Sequence, residues 1–181
     1  MEPLFELGDG AVLRPVEEAD VEELDALVEA NREYLARWMP WAPAQTREST
    51  REFVRTAISQ LEANDGFQAA LVVDGRLAGT LGFHNIDWVH RRTTIGYWIA
   101  ERTQGHGLAT RAVAAMIGHA FTEWGLHRVE IRAAVGNTRS RALCERLGMT
   151  QDGTLREAEW VGDRCHDLAV YSMLAPEWVG R

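Results

Sequence analysis

A glycine-punctuated hexad, Gln104-Gly105-His106-Gly107-Leu108-Ala109, joins a run with strand character to a run with helical periodicity. Before it, Thr94-Ile95-Gly96-Tyr97-Trp98-Ile99 is rich in β-branched and aromatic residues, as a strand should be. After it, Leu108, Ala109, Ala112, Val113, Met116, Ile117, Ala120, Phe121 and Trp124 recur at helical spacing, and Gly125 follows where a helix would stop. The junction therefore reads as strand, glycine turn, helix. Glycines lacking Cβ let a ligand approach the backbone, and the first N–H groups of a helix have no partner within it, so such a turn can cradle an anion.

Spacing separates three phosphate-binding readings. A Walker loop needs Gly-Lys-Ser/Thr at its end, which does not occur here. A dinucleotide fingerprint needs a third Gly or Ala, but that position is Thr110. The segment does match Gln/Arg-x-x-Gly-x-Gly/Ala, filled by Gln104, Gly107 and Ala109. That pattern resembles the acetyl-CoA pyrophosphate loop of the GNAT superfamily of N-acetyltransferases. Downstream, Asn137, Ser140, Arg146, Gly148 and Met149 follow the order and spacing of the asparagine, small residue and Lys/Arg-x-Gly-Phe-like tail that many GNAT chains carry. Upstream, Arg37-Trp38-Met39-Pro40-Trp41 and Ile95-Gly96-Tyr97-Trp98-Ile99 look like the RimJ/RimL-like branch, the ribosomal-protein N-terminal acetyltransferases.

The order of elements is compatible with that resemblance. Ala11 to Arg14 reads as a strand ended by Pro15. Asp20 with Glu23, and Ser49 with Glu52, have capping-box spacing at the starts of two helices. Asp74-Gly75 and Gly162-Asp163 are two-residue hairpin signals, the first between strands Phe67–Val73 and Arg76–Phe83, the second between Thr154–Val161 and Cys165–Leu174. Strands at Thr93–Ile99 and His127–Ala133 flank the glycine-loop helix, a crossover that makes neighbouring strands parallel. The resemblance and this pattern imply α/β (α+β) architecture: the GNAT fold, a mixed, mostly antiparallel central sheet of about seven strands flanked by about four helices. Residues 1–181 are expected to form a single GNAT N-acetyltransferase domain, a size and a 46% hydrophobic content sufficient for one core.

Composition narrows the function. No apolar run approaches the roughly 20 residues of a membrane helix, and there is no basic-plus-apolar leader pattern, so a cytoplasmic location is expected. The two cysteines, Cys144 and Cys165, have neither CxxC nor zinc spacing, and the six histidines form no HExxH, so neither a disulfide nor a metal is expected. A net charge of −8 argues against nucleic-acid and anionic-membrane partners and suits a cationic amine. Against that background Arg128, Arg132, Arg139, Arg141 and Arg146 cluster beside the loop, either as an anion pocket or as a solvated face. His84 and His90 flank a strand end and could line a substrate path, although surface or core positions serve as well. Among seven tryptophans, Trp124 and Trp178 are expected to pack, and Trp38, Trp41 and Trp160 to wall the acceptor groove.

The resemblance implies acetyl transfer from acetyl-CoA, without a metal, to a primary amine: the N-terminal α-amino group of a protein such as a ribosomal protein. A small amine (antibiotic, polyamine or amino acid) is the alternative acceptor, and a non-catalytic CoA-binding sensor the alternative class. A homodimer is the assembly the resemblance allows. The CoA-binding residues it implies are Gln104, Gly105, His106, Gly107, Leu108, Ala109 and Thr110 at the pyrophosphate, Trp98 and Ile99 as a splayed strand facing the pantetheine amides, and Asn137 at the CoA arm. Asn137 could equally be a turn residue. For the proton acceptor the resemblance points to Glu159; Glu157, two residues away, would share its strand face, and exposed decoration is the alternative for both. Many GNAT enzymes protonate the leaving thiolate with a tyrosine at the position Cys144 occupies here, a departure from the family pattern. Ser140, one helical turn earlier on the same side, is the implied donor, unless it merely caps the short helix.

Overall fold

In the computed structural model, which describes residues 3–180, Asp74 and Gly75 both take positive φ (49° and 77°), the geometry a tight hairpin demands. That turn joins β3 (Gln68–Val73) to β4 (Arg76–Asp87), and β5 (Arg92–Ile99) adds antiparallel to β4. Helix α3 (Leu108–Thr122) then carries the chain across to β6 (Arg128–Ala134), which lies parallel to β5. After α4 (Thr138–Arg146), the second hairpin forms β7 (Thr150–Val161) and β8 (Arg164–Leu174) around Gly162, again at positive φ. At the other end come β1 (Phe5–Gly8), β2 (Ala11–Pro15), α1 (Val21–Leu35) and α2 (Arg47–Glu62). One eight-stranded sheet results, in the order β1-β2-β3-β4-β5-β6-β8-β7, antiparallel except at β5/β6. This is the GNAT architecture, with β1 as an additional strand: four residues are too short for their alternation to stand out.

Each face of the sheet has its own core. On the α3/α4 side Leu13, Leu71, Leu81, Ile95 and Ile131 of the sheet cluster with Met116, Ile117 and Leu147, and on the α1/α2 side Ala70 and Trp98 cluster with Leu24, Val28, Leu35 and Val54. Trp124 packs edge-on against Phe67 and beside Phe83, and Trp178 against Phe121, both packed as expected. Among the described residues no helix is long and apolar enough to cross a membrane.

The helix starts differ from the spacing-based reading. Thr46, not Ser49, caps α2: its hydroxyl accepts from the Ser49 amide at 3.2 Å and Ser49 Oγ reciprocates on the Thr46 amide at 2.8 Å. Asp20 precedes α1 but does not cap it. Its buried carboxylate instead accepts a bidentate pair from Arg14 (2.6 and 2.7 Å) and the Glu17 amide at 2.9 Å. Glu23 reaches away, accepting from the Leu77 amide of β4 at 3.0 Å. A sheet cation within reach outcompetes a helix amide because the charge-assisted, bidentate bond is stronger. Asp20→Ala should therefore lower the unfolding free energy by about 3 kcal/mol in urea titration, as for a broken buried pair, rather than the ~1 kcal/mol of a lost cap.

Candidate active site

Strands β5 and β6 pair only over Arg92–Thr94 against Arg128–Glu130. Beyond Thr94, β5 stays hydrogen-bonded to β4 as far as Ile99, while β6 stays with β8 as far as Ala134, so the two part like a V. Gly79 draws β4 tight against the arm of the V: a Cβ there would overlap the Trp98 carbonyl. Into the V opens a cleft of about 1070 Å³ that reaches both faces of the sheet. Tyr34, Leu35, Trp38 and Met39 wall it on the α1 side; the glycine loop and residues of α4 wall it on the other.

The glycine loop is built for close approach. Gly105 and Gly107 have φ of 93° and 70°, and a Cβ on either would meet nothing within 4 Å. Gly107 is the N-cap of α3 and offers no side chain to the first helical amides, so those donors and the positive end of the helix dipole face the cleft. Gln104 fastens the loop in place. Its Nε2 donates to the Tyr34 hydroxyl (2.8 Å) and the Ile99 carbonyl (3.0 Å), while its Oε1 accepts from Arg139 (2.5 Å). Ile99 O is thus already bonded within the protein.

Of the residues expected to hold CoA, all but His106 line the cleft. His106 is exposed, and its carbonyl lies 3.4 Å from Arg111 Nη1. The arginine cluster divides. Arg128 and Arg132 are paired with Glu130, and Arg128 also with Asp152; Arg141 donates to the Tyr171 hydroxyl at 3.1 Å. Arg139 and Arg146 do reach the cleft, where Arg146 bonds the Thr110 hydroxyl at 2.8 Å. Arg111 of α3 joins them with a buried Nε that has no hydrogen-bond partner, a position the linear cluster gave no hint of.

In the middle of the cleft the Ser140 hydroxyl lies 2.8 Å from that of Tyr97, a contact between β5 and α4. Asn137, not Ser140, is the N-cap of α4, its Oδ1 accepting from the Ser140 amide at 3.2 Å. Burial pushes the Tyr97 phenol above its ordinary pKa, keeping it a neutral donor. Tyr97 went unassigned from sequence because its partner is 43 residues away; the one available signal was its alternation with Ile95 and Ile99 toward the α3/α4 side. Cys144 is fully buried, does not line the cleft, and its thiol is pushed up to about 12 by burial.

Glu159 lies outside the cleft wall. It sits opposite His166 in the β7/β8 register, and the His166 ring is 6.2 Å from that of Trp38, which does line the cleft. Partial burial raises the Glu159 pKa above the usual carboxylate range, with His166 opposing. The expected shared face with Glu157 is lost. Four steps along β7 from Leu155 to Glu159 match two along β8, and Glu157 takes φ 48° in the resulting bulge, so the period of two does not carry across it. Trp160 is 66% exposed and lines neither cavity of the sheet, unlike Trp38 and Trp41.

Comparison with known proteins agrees with this geometry. Residues 11–150 match the family model for the acetyltransferase (GNAT) domain. The chain belongs to the GNAT acetyltransferase family. It is 39% identical over 170 residues to YdaF of Bacillus subtilis (strain 168), provisionally named a ribosomal N-acetyltransferase, with 93% of each chain covered. To the ribosomal-protein-serine acetyltransferase of Escherichia coli (strain K12) this GNAT chain is 26% identical over 175 residues, covering 96% of it and 98% of the relative. RimL, a ribosomal L7/L12 α-N-protein acetyltransferase solved with coenzyme A, superposes with a TM-score of 0.89 at 26% identity, over 93% of this chain and 96% of RimL.

The loop supplies a direct test. Gly107→Val places a branched side chain in the space before the α3 amides and strains a left-handed backbone. Calorimetry with acetyl-CoA should show binding abolished in a protein that still melts cooperatively; unchanged affinity would make the loop a simple turn.

Proposed function

We propose that this acetyl-CoA-dependent N-acetyltransferase acetylates the N-terminal α-amino group of a protein, a ribosomal protein being the acceptor its relatives' names favour. The observation that carries this reading is the two-sided cleft: one end has the glycine loop and α3 amides for a pyrophosphate, a pair of hydroxyls lines it between, and the α1 side is walled by Tyr34, Leu35, Trp38 and Met39. Donor and acceptor can enter from opposite faces of the sheet and meet at the V. Gly105, Gly107, Leu108, Ala109 and Thr110 would hold the pyrophosphate, with Arg111, Arg139 and Arg146 as the cations around it. The parted edges of β5 and β6 offer strand-like hydrogen bonds to the amide-bearing pantetheine arm.

The chemistry needs a neutral amine and a protonated leaving group. An α-ammonium, with a pKa of about 7.7–8.0, gives up its proton far more readily than a lysine at about 10.4. Glu159 would take that proton through water, since it does not itself line the cleft. The amine nitrogen then attacks the thioester carbonyl, the C–S bond breaks, and the departing thiolate is held by a hydrogen bond from Ser140, itself oriented by Tyr97, while the proton shed by the new amide nitrogen passes to the sulfur. A buried neutral hydroxyl pair suits this: it donates to a developing anion without carrying a charge of its own.

The direct assay is acetyl-CoA turnover against a panel of N-terminal peptides, polyamines and aminoglycosides, read by mass spectrometry. Acetylation of peptide α-amines is the expected outcome; turnover confined to small amines would replace the acceptor, and none at all would leave a sensor. Ser140→Ala should lower kcat at least about tenfold with little change in melting temperature, because Asn137 and not Ser140 caps α4. Asn137→Ala should cost about 1 kcal/mol of stability and, by freeing the turn that sets Ser140, lower kcat as well.

Glu159→Gln is expected to reduce kcat by about 10²-fold while leaving acetyl-CoA affinity intact. A carboxylate base must be ionised, so wild-type kcat should fall as pH drops through a Glu159 pKa held above the usual value. The glutamine variant should lack that acid limb. Retention of the limb would assign it to another group.

A further inference from the structure

A second cavity, about 320 Å³, lies on the α1/α2 face of the sheet and meets the cleft at Met39, Tyr97 and Trp98. Its floor exists because side chains are missing there. Gly82 of β4 and Gly96 of β5 are register partners, so two bare backbone positions face each other across the sheet. The Gln68 carboxamide occupies the space a Cβ at Gly82 would need, and His84 Nε2 would lie 2.7 Å from a Cβ at Gly96. Both side chains therefore lie close over the sheet, one from each side. Leu24, Val28, Trp41, Phe53 and Trp98 form the apolar walls.

Several polar groups lining this space are already used. Ser49 bonds within the α2 cap, and Thr50 exchanges bonds with Gln45 and Thr46. Gln68 Nε2 donates to Gln60 and to the Phe83 carbonyl. Three acceptors or donors have no such bond among the described residues: the His84 ring, the Thr80 hydroxyl and Gln68 Oε1. His84 is open to solvent on one side, but the protein around the rest of its ring pushes its pKa down, so it is neutral at pH 7. Among the described residues no Asp, Glu, Lys or Arg lines the cavity, although the Thr50 hydroxyl also donates to Asp25 at 3.3 Å.

We propose that this cavity receives the first side chain of the acceptor and selects an uncharged one with a hydrogen-bonding tip, read by His84, Thr80 and Gln68. The inference rests on the peptide acceptor proposed above. An amine placed at the V beside Trp98 and Met39 has its own Cα substituent next to this cavity, the adjoining space on that face. A charged side chain entering it would lose hydration with no counter-ion in the cavity lining to replace it, Asp25 lying outside that lining and already bonded to Thr50. An alanine would not reach the three unspent groups. His84 and its companions are specificity-determining residues in this scheme and take no part in bond making.

Tetrapeptides differing only in the first residue (Ser, Thr, Gln, Ala, Asp, Arg) test it. With the wild type, kcat/KM for Ser, Thr or Gln should exceed that for Ala by about tenfold, and Asp and Arg should fall below Ala. In His84→Ala and in Thr80→Val that advantage should shrink to about twofold, mainly through KM, with the acetyl-CoA dissociation constant unchanged. An unaltered preference in both folded variants would overturn the proposal. A second readout separates it from the acceptor assignment: the His84 imidazole resonances, identified by their loss in His84→Ala, are followed while CoA-loaded protein is titrated with the Ser and Arg peptides. Shifts with Ser alone support the cavity even if peptides are not acetylated. Acetylation without any shift overturns the cavity and keeps the acceptor, and neither acetylation nor shift overturns both.

Discussion

Everything functional in this molecule depends on two parallel strands that stop pairing. Backbone N–H and C=O groups released from a sheet in a protein interior are costly unless something else takes them. Here β5 and β6 each keep one fully bonded neighbour, β4 and β8, so the V exposes one edge of each strand and costs no more than two ordinary sheet edges. Parallel order is what makes the V useful. Two parallel strands need a crossover, and the crossover helix α3 begins where β5 ends, which sets its uncapped N-terminus at the wide end of the opening. Sheet edge and helix amides thus converge on one cleft.

An opening of this kind must be held at a fixed width, and Gln104 has the contacts to do it. Through one carboxamide it joins the end of β5, the α1 hydroxyl of Tyr34 and the guanidinium of Arg139 on α4. Those partners stand on different sides of the cleft. The loop it fastens contains two glycines at positive φ, residues with the most conformational freedom to lose, so without such a tether the helix amides would be poorly oriented for a ligand. A glutamine is suited to the task because it both donates and accepts, which an arginine at the same position could not do toward Arg139.

Local chemistry was legible in the sequence wherever the signal was itself local. Asp74-Gly75 and Gly162-Asp163 set hairpins because positive φ is decided within two residues, and the α3 periodicity set its buried stripe. Long-range competition was not legible. Asp20 has the right spacing for a cap, yet Arg14 from the adjoining strand claims it; the arginines of β6 and α4 look like one cluster, yet strand alternation and nearby acids send Arg128 and Arg132 elsewhere. The bulge at Glu157 falls in Arg156-Glu157-Ala158-Glu159, with no glycine at the site to mark it. In each case a tertiary partner overrode a correct local rule.

The same distinction explains how the chain accommodates Cys144 where many family members carry a tyrosine. The Cys144 thiol is pushed up to about 12 by burial and faces the core instead of the cleft, so it has no access to a ligand there. A phenol nonetheless reaches the middle of the cleft, from the sheet instead of the helix: Tyr97 comes up from β5 to meet Ser140 on the first turn of α4. Both residues line the cleft, so the pair can present a hydroxyl to a ligand while each side chain orients the other. What fixes the pair is the N-cap at Asn137. By accepting the Ser140 amide it sets where α4 starts, and so where the serine hydroxyl stands relative to β5. Capping, an ordinary device of helix stability, thereby positions the one hydroxyl pair at the centre of the cleft.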